Sequence, residues 1–338
     1  MRILIVDDDE LSLTLLENAL TQAQHEVETA TNGTDALTKL RRGGLHMVIS
    51  DWDMPGLSGE ELCRKVRGEA FGGYVYFILL TSHDSPEHVV QGLDAGADDF
   101  IGKPFNPAEL AVRVRAGQRV LALETRDVAL FAMARLAESR DPETGHHLER
   151  VRNYCKTLAQ CLLEWDRPGY TVTAGFVQTI YSTSPLHDVG KIGIPDSILL
   201  KPGRLSDREF AVMKGHTTLG AETLNAAVAQ YPSAEFLLMA RDIALSHHER
   251  FDGTGYPTGL VGENIPLCAR ILALADVYDA LTSRRVYKNA YSHEVARSII
   301  VEESGSHFDP VVVKAFLETE ATFLDLRNRL SDFSAQAA

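Results

Sequence analysis

Apolar and polar positions along this 338-residue chain follow two rhythms. Up to about residue 120, short apolar runs at 3–6, 47–50 and 76–81, with weaker strand-like stretches at 26–30 and 99–101, are each followed by a stretch of helical spacing, at 11–23, 33–41, 59–67, 86–95 and 107–119. Apolar runs bounded by turn residues read as buried strands; apolar positions three and four apart read as amphipathic helices. Five such strand–helix units predict an α/β domain with a parallel sheet covered on both faces, its functional groups at the carboxyl edge of the strands. Helical periodicity then runs from 110 to 140 with Gly117 as the breaker, the last helix of the α/β half passing into a helical linker. Beyond it the pattern is all-α, with helices expected at 148–164, 176–186, 207–215, 220–231, 234–248, 269–282, 292–303 and 310–323, and Gly/Pro-rich loops at 193–205 and 252–266. The expected division is 1–120, a linker at 121–140, an α-helical domain at 141–325 and a tail at 326–338.

The length suits two domains. Residues 1–120 hold 11 Lys/Arg against 19 Asp/Glu, and the remainder 22 against 28. With neither half basic, binding to a nucleic acid polymer is excluded as the main activity, and an anionic substrate must be met by metals or a local basic cluster. The apolar run Tyr74 to Leu80 is far too short for a bilayer, and the acidic residues after Val6 argue against a signal peptide. Cys63, Cys155, Cys161 and Cys268 form no C-x-x-C pair, as expected of reduced thiols in a cytoplasmic protein.

Acidic residues mark the strand ends of the first half: Asp7 and Asp8 after the first strand and Asp51 after the third, with Thr81 ending the fourth and Lys103 after the fifth. Converging carboxylates suit Mg²⁺, and a lysine with a hydroxyl could neutralise a phosphoryl group carried by an aspartate. Val6-Asp7-Asp8-Asp9, Ser50-Asp51-Trp52-Asp53-Met54-Pro55-Gly56, Leu79-Leu80-Thr81-Ser82 and Gly102-Lys103-Pro104-Phe105 resemble the receiver domain of two-component response regulators, a flavodoxin-like doubly wound fold. The resemblance implies phosphorylation of Asp51 by a cognate histidine kinase. It also implies Mg²⁺ held by Asp7, Asp8 and the Asp53 carbonyl, phosphoryl contacts from Thr81 and Lys103, and Phe100 as the switch aromatic.

Eight of the twelve histidines lie beyond residue 140. Glu143 and His147 stand four apart on one helix face, and His187-Asp188, His216, His247-His248 and Asp276 lie in or beside further helices. Imidazole and carboxylate donors suit Fe, Mn, Zn or Ni, and eight ligands exceed the need of one ion, so two or three metals are expected. Such a cluster generates hydroxide at neutral pH and neutralises an attacked phosphate. His146, His293 and His307 read instead as ordinary surface or core histidines.

The stretches 140–147, 186–195 and 247–257, with Asp276-Val277-Tyr278-Asp279 and Phe308-Asp309-Pro310, resemble the HD-GYP family, HD-type hydrolases acting on cyclic di-GMP. The resemblance implies Glu143, His147, His187, Asp188, His216, His247, His248 and Asp276 as metal ligands, with Asp188 bridging; Glu143 favours three ions, and Fe or Mn is preferred. His187 and Asp188 would serve catalysis with Lys191 near the scissile phosphate. Lys191, Asp279, Arg285 and Lys288 would bind substrate, and Gly255, Tyr256 and Pro257 would form a loop facing substrate or diguanylate cyclase (GGDEF) partners. The expectation is a cyclic di-GMP phosphodiesterase giving pGpG and/or GMP under Asp51 control, acting through a dimer or a cap over the site. The alternatives are an inactive adaptor binding cyclic di-GMP or a partner, and an HD hydrolase of another nucleotide.

Overall fold

The computed structural model describes residues 1–69, 71, 73–82, 86–140, 146–165, 170–283 and 290–331, in two compact units, Met1–Asp127 and Val128–Ala338. The first contains β1 (Arg2–Val6), α1 (Glu10–Gln22), β2 (Glu26–Ala30), α2 (Gly33–Arg41), β3 (Met47–Asp51), α3 (Gly59–Gly68), β4 (Tyr76–Thr81), α4 (Pro86–Asp94), β5 (Asp99–Gly102) and the start of α5 (Pro107–Glu138). All strand pairs are parallel, in the order β2-β1-β3-β4-β5. That is the expected doubly wound sheet, whose order reverses between β1 and β3 and so opens a crevice there. β3 and β4 are buried at every position, as strands covered on both faces must be. Alternate residues serve opposite cores: Leu4, Val6 and Phe77 pack with Leu37 and Leu62, while Ile3, Ile5 and Ile78 pack with Leu16, Leu110 and Val114.

Gly117 breaks the apolar pattern for a packing reason. A Cβ there would lie 2.5 Å from Met47 Cε and 2.6 Å from the Tyr76 ring, so α5 lies on the sheet only because this position has no side chain. Asp9, beside the acidic pair, is a helix cap: its carboxylate accepts from the backbone N–H groups of Leu11 and Ser12.

The second unit holds the end of α5, then α6 (His147–Trp165), α7 (Ala174–Thr183), α8 (Asp196–Leu199), α9 (Asp207–Gln230), α10 (Glu235–Ser246), α11 (Leu267–Thr282), α12 (His293–Glu302) and α13 (Pro310–Arg329). α11 is buried almost all round, the signature of a central helix. Tyr154 of α6 stacks on Phe323 of α13 at 4.4 Å, and Tyr278 of α11 meets Tyr154 edge-on at 5.2 Å. Arg270 of α11 pairs inside this core with Asp309, which also takes the Tyr170 hydroxyl at 3.0 Å and caps α13 through Val311 N–H at 2.8 Å. Removing either charge would strand its partner, at a cost of about 3–5 kcal/mol.

The chain parts at 127/128, inside the segment expected as a linker, and Ala134 is buried among residues of the second unit. Two expectations are corrected. The helices expected at 207–215 and 220–231 are one, α9; Gly215 and Gly220 do not interrupt it. The last helix runs on to Arg329, since Leu326 is buried in the core, so a tail beginning at 326 is too early. Among the described residues, no helix is long and apolar enough to cross a membrane.

Candidate metal centre

In the first unit the parallel register brings Asp7, Asp8 and Asp51 to one edge, with donor oxygens within 4.8 Å of one another. Lys103 Nζ lies 2.7 Å from Asp51 and 2.9 Å from Asp7. Burial raises the Asp51 pKa against the lowering pull of Lys103. Burial likewise works against the Lys103 cation, but its hydrogen bonds to Asp51 and Asp7 outweigh it. Thr81 is buried at the end of β4, Asp53 is exposed, and Phe100 sits 6.4 Å from the Trp52 ring. The geometry suits a cation among the three carboxylates, one of which, Asp51, also faces the Lys103 ammonium.

In the second unit five separated segments converge. Donor atoms of Asp188, His216, His247 and His248 form one group within 4.8 Å, and those of His147, His187 and Asp276 form another. Asp188 joins them: Oδ2 lies 3.3 Å from His187 Nε2, while Oδ1 lies 3.3 Å from His216 Nε2 and 3.8 Å from His247 Nε2. Local structure sets this up. A turn at Ser184–Leu186 delivers His187, and Val189–Gly193 continues from Asp188 as a second tight turn. That turn lies against α9 because residue 190 is glycine; a Cβ there would be 1.9 Å from the His216 carbonyl oxygen.

Backbone carbonyls fix the imidazole tautomers. Nδ1 of His187 bonds to Ser184 O at 2.9 Å, Nδ1 of His216 to Met213 O at 2.8 Å, and Nδ1 of His247 to Ile243 O at 3.0 Å. A carbonyl only accepts, so each Nδ1 carries the proton, and in the neutral ring each Nε2 offers a lone pair inward. His216 Nε2 and His247 Nε2 thus face each other at 3.4 Å, beside Asp188 Oδ1, which is buried and has no hydrogen-bond partner among the described residues. Lone pairs turned on one another and on an undonated carboxylate oxygen fit a cation among them. Burial pushes the pKa of His248 down to about 4 and lowers those of His216 and His247, so these rings are neutral donors at pH 7. Burial opposes the Asp188 charge, yet Lys191 and His187 hold its carboxyl well below the usual range. The donor set therefore fits divalent metal ions, with the Asp188 carboxylate placed between the two groups.

Behind this shell lies a second one. His147 Nδ1 bonds to Asp279 at 2.8 Å, and Arg150 grips both oxygens of that carboxylate at 2.6 and 3.0 Å. Arg150 also donates to Leu330 O and Ser283 Oγ, at 3.0 and 2.9 Å. Asp279, expected to bind substrate, is buried and bonded to His147 and Arg150. The sequence reading missed Arg150, although its position one turn after His147 on α6 was the available signal. It also missed Glu138, the last residue of α5, whose Oε1 lies 4.0 Å from His147 Nε2. Glu249 is a third omission: buried, it accepts from the N–H groups of Thr258, Gly259 and Leu260 and so pins the loop carrying Tyr256. Tyr256 in turn stacks on His248 at 4.7 Å.

Lys191 Nζ lies 2.8 Å from Asp188 Oδ2, at the mouth of the group. Gly255 and Pro257 flank Tyr256 in the loop. Glu143, Arg285 and Lys288 fall outside the described residues. His293 bonds to the Tyr278 hydroxyl at 2.9 Å and His307 stacks on Phe308 at 4.2 Å, both away from the donor groups.

Comparison with known proteins agrees with this division. A response regulator receiver domain matches residues 3–115 and an HD domain matches residues 132–312. A "probable cyclic di-GMP phosphodiesterase" of Vibrio cholerae is 40% identical, covering 98% of this chain and 80% of its own. The "cyclic di-GMP phosphodiesterase response regulator RpfG" of Xanthomonas campestris is 36% identical, covering 99% and 92%. A "3'3'-cGAMP-specific phosphodiesterase 2" of Vibrio cholerae is 38% identical over 69% of this chain and 40% of its own length.

Proposed function

Because the chain belongs to the response regulators in which a receiver domain precedes a metal-dependent HD-domain phosphodiesterase, we propose that it hydrolyses cyclic di-GMP under control of Asp51 phosphorylation. The observation that carries the reading is the pair of facing Nε2 atoms of His216 and His247 beside the undonated Asp188 Oδ1. When bound, the ions supply a water acidified to near neutrality and positive charge against the phosphodiester. The protein's own part is positional. Asp188 spans the two donor groups with its two oxygens, and His147, Asp276 and His187 hold one side while His216, His247 and His248 hold the other. Lys191 Nζ is placed to bind a non-bridging phosphate oxygen or to protonate the leaving oxygen. Glu143 would add a ligand, and Arg285 and Lys288 would grip phosphate or guanine. The mixed imidazole–carboxylate donors suit Fe, Mn, Zn or Ni, and the family likeness favours Fe or Mn. The products would be pGpG and/or GMP.

In the receiver, Asp51 would accept the phosphoryl group from a histidine kinase, Asp7, Asp8 and the Asp53 carbonyl would hold Mg²⁺, and Thr81 and Lys103 would meet the phosphoryl oxygens. The loop through Gly255, Tyr256 and Pro257 is offered to substrate or to GGDEF partners, and a homodimer is one route for the signal. The test couples metal analysis with product analysis. Iron- or manganese-loaded protein should release pGpG or GMP from cyclic di-GMP. Chelation, or His187→Ala with Asp188→Ala, should abolish release. Equal product from the double variant would sink the assignment. A parallel arm with 3'3'-cGAMP fixes the substrate, since one similar protein carries that specificity in its name.

A further inference from the structure

We propose that Phe210, Tyr256 and Lys214 form a stacking subsite that seats a purine base of the substrate, an inference that rests on the site being a cyclic dinucleotide phosphodiesterase. Phe210 stands in the first turns of α9 and is 47% exposed, although a buried phenylalanine would be worth more to the fold. Its ring lies 6.2 Å from that of Tyr256, nearly perpendicular at 81°. Tyr256 lies 4.7 Å from the His248 ring at 29°, so an unbroken run of rings leads from the donor groups outward to Phe210. Lys214, one helical turn after Phe210, holds its ammonium 5.3 Å from the Phe210 centroid and 5.6 Å from that of Tyr256.

Each part has a use for a nucleotide. A phosphodiester centred at Asp188 carries its sugar and base outward by the length of one nucleoside. Phe210 precedes His216 by six residues on the same helix, about 9 Å along its axis at 1.5 Å per residue. The Phe210 ring is reached from the His248 ring across Tyr256, in steps of 4.7 and 6.2 Å between ring centroids. A base stacks on such a face whatever its hydrogen-bonding edge, and the lysine adds a cation for the base face or the second phosphate. In a chain of net charge −14, a cation held over two rings beside a phosphate site is placed against the general field. The loop bearing Tyr256 is fixed through Glu249, so the platform is preorganised.

The test compares ligands with and without a base on metal-loaded, full-length protein. Calorimetry should show 5'-GMP binding more tightly than ribose 5-phosphate, and Phe210→Ala should shrink that ratio about tenfold by weakening GMP alone. Phe210→Trp should restore it, and Phe210→Ala should raise KM for cyclic di-GMP more than it lowers kcat. If Phe210→Ala leaves the ratio intact, or weakens both ligands alike, the subsite is overturned. If the wild-type protein shows the Phe210-dependent preference for GMP yet never cleaves cyclic di-GMP, the subsite stands and the substrate reading falls.

Discussion

Asp279 shows how one carboxylate can stand beside a binding site and serve another group. Burial opposes its charge, yet its bonds to His147 and Arg150 outweigh burial and hold its pKa at about 2. For His147, burial also opposes charge, and the surrounding Asp279, Asp276 and Glu138 carboxylates raise its pKa to about 9, so this ring sits in a field made for a cation. A carboxylate behind a ligating histidine fixes the ring and strengthens its donor nitrogen. Asp279→Asn should therefore cut metal retention on dialysis by about 10–100-fold, measured as metal per chain. Unchanged metal content with a raised KM would return Asp279 to the substrate pocket. In the sequence, Asp279 stands three residues after Asp276, and nothing in that spacing tells which carboxylate faces the ions.

Among the elements, the end of α5 is tied to the turn that carries Lys191. The Arg140 guanidinium donates to the carbonyls of Ile192 at 2.5 Å and Ile194 at 3.1 Å, and pairs with Asp196. The turn Val189–Gly193 is only five residues long, and these outside donors add to its own bonds. Arg140→Ala should raise amide hydrogen exchange across 189–196 and lower turnover, with metal content retained. Unaltered exchange there would remove Arg140 from this role. The periodicity of 110–140 announced a long helix but not this attachment, because a helical pattern reports which face is apolar and not what lies beyond the last turn. The opposite error occurred at α9, where two glycines suggested a break. Gly220 lies on the side of the helix approached by the turn at Gly190, so it marks close packing within a helix that continues.

For the whole molecule, each unit gathers side chains that could hold a cation: Asp7, Asp8 and Asp51 in the first, and two histidine–carboxylate groups in the second. α5 begins among the sheet helices of one, where Leu110 and Val114 are buried, and ends within the other, where Ala134 is buried. If phosphorylation is the input, beryllofluoride with Mg²⁺ should change the rate of cyclic di-GMP hydrolysis, and Asp51→Asn should remove that response. The same response in Asp51→Asn would place the input elsewhere. The sequence by itself determined the parallel sheet, the helical second half, the acidic edge of Asp7, Asp8 and Asp51 and most of the histidine–carboxylate donor groups. Strand ends and helix faces follow from periods of two and 3.6, and the topology of a parallel sheet then leaves one edge for Asp7, Asp51 and Lys103. Only the tertiary structure decided which nitrogen of each histidine faces inward, that Asp188 spans two groups, and that Asp279 and Arg150 stand behind His147. Those are matters of a few ångströms between segments far apart in the chain, set by packing that no local pattern encodes.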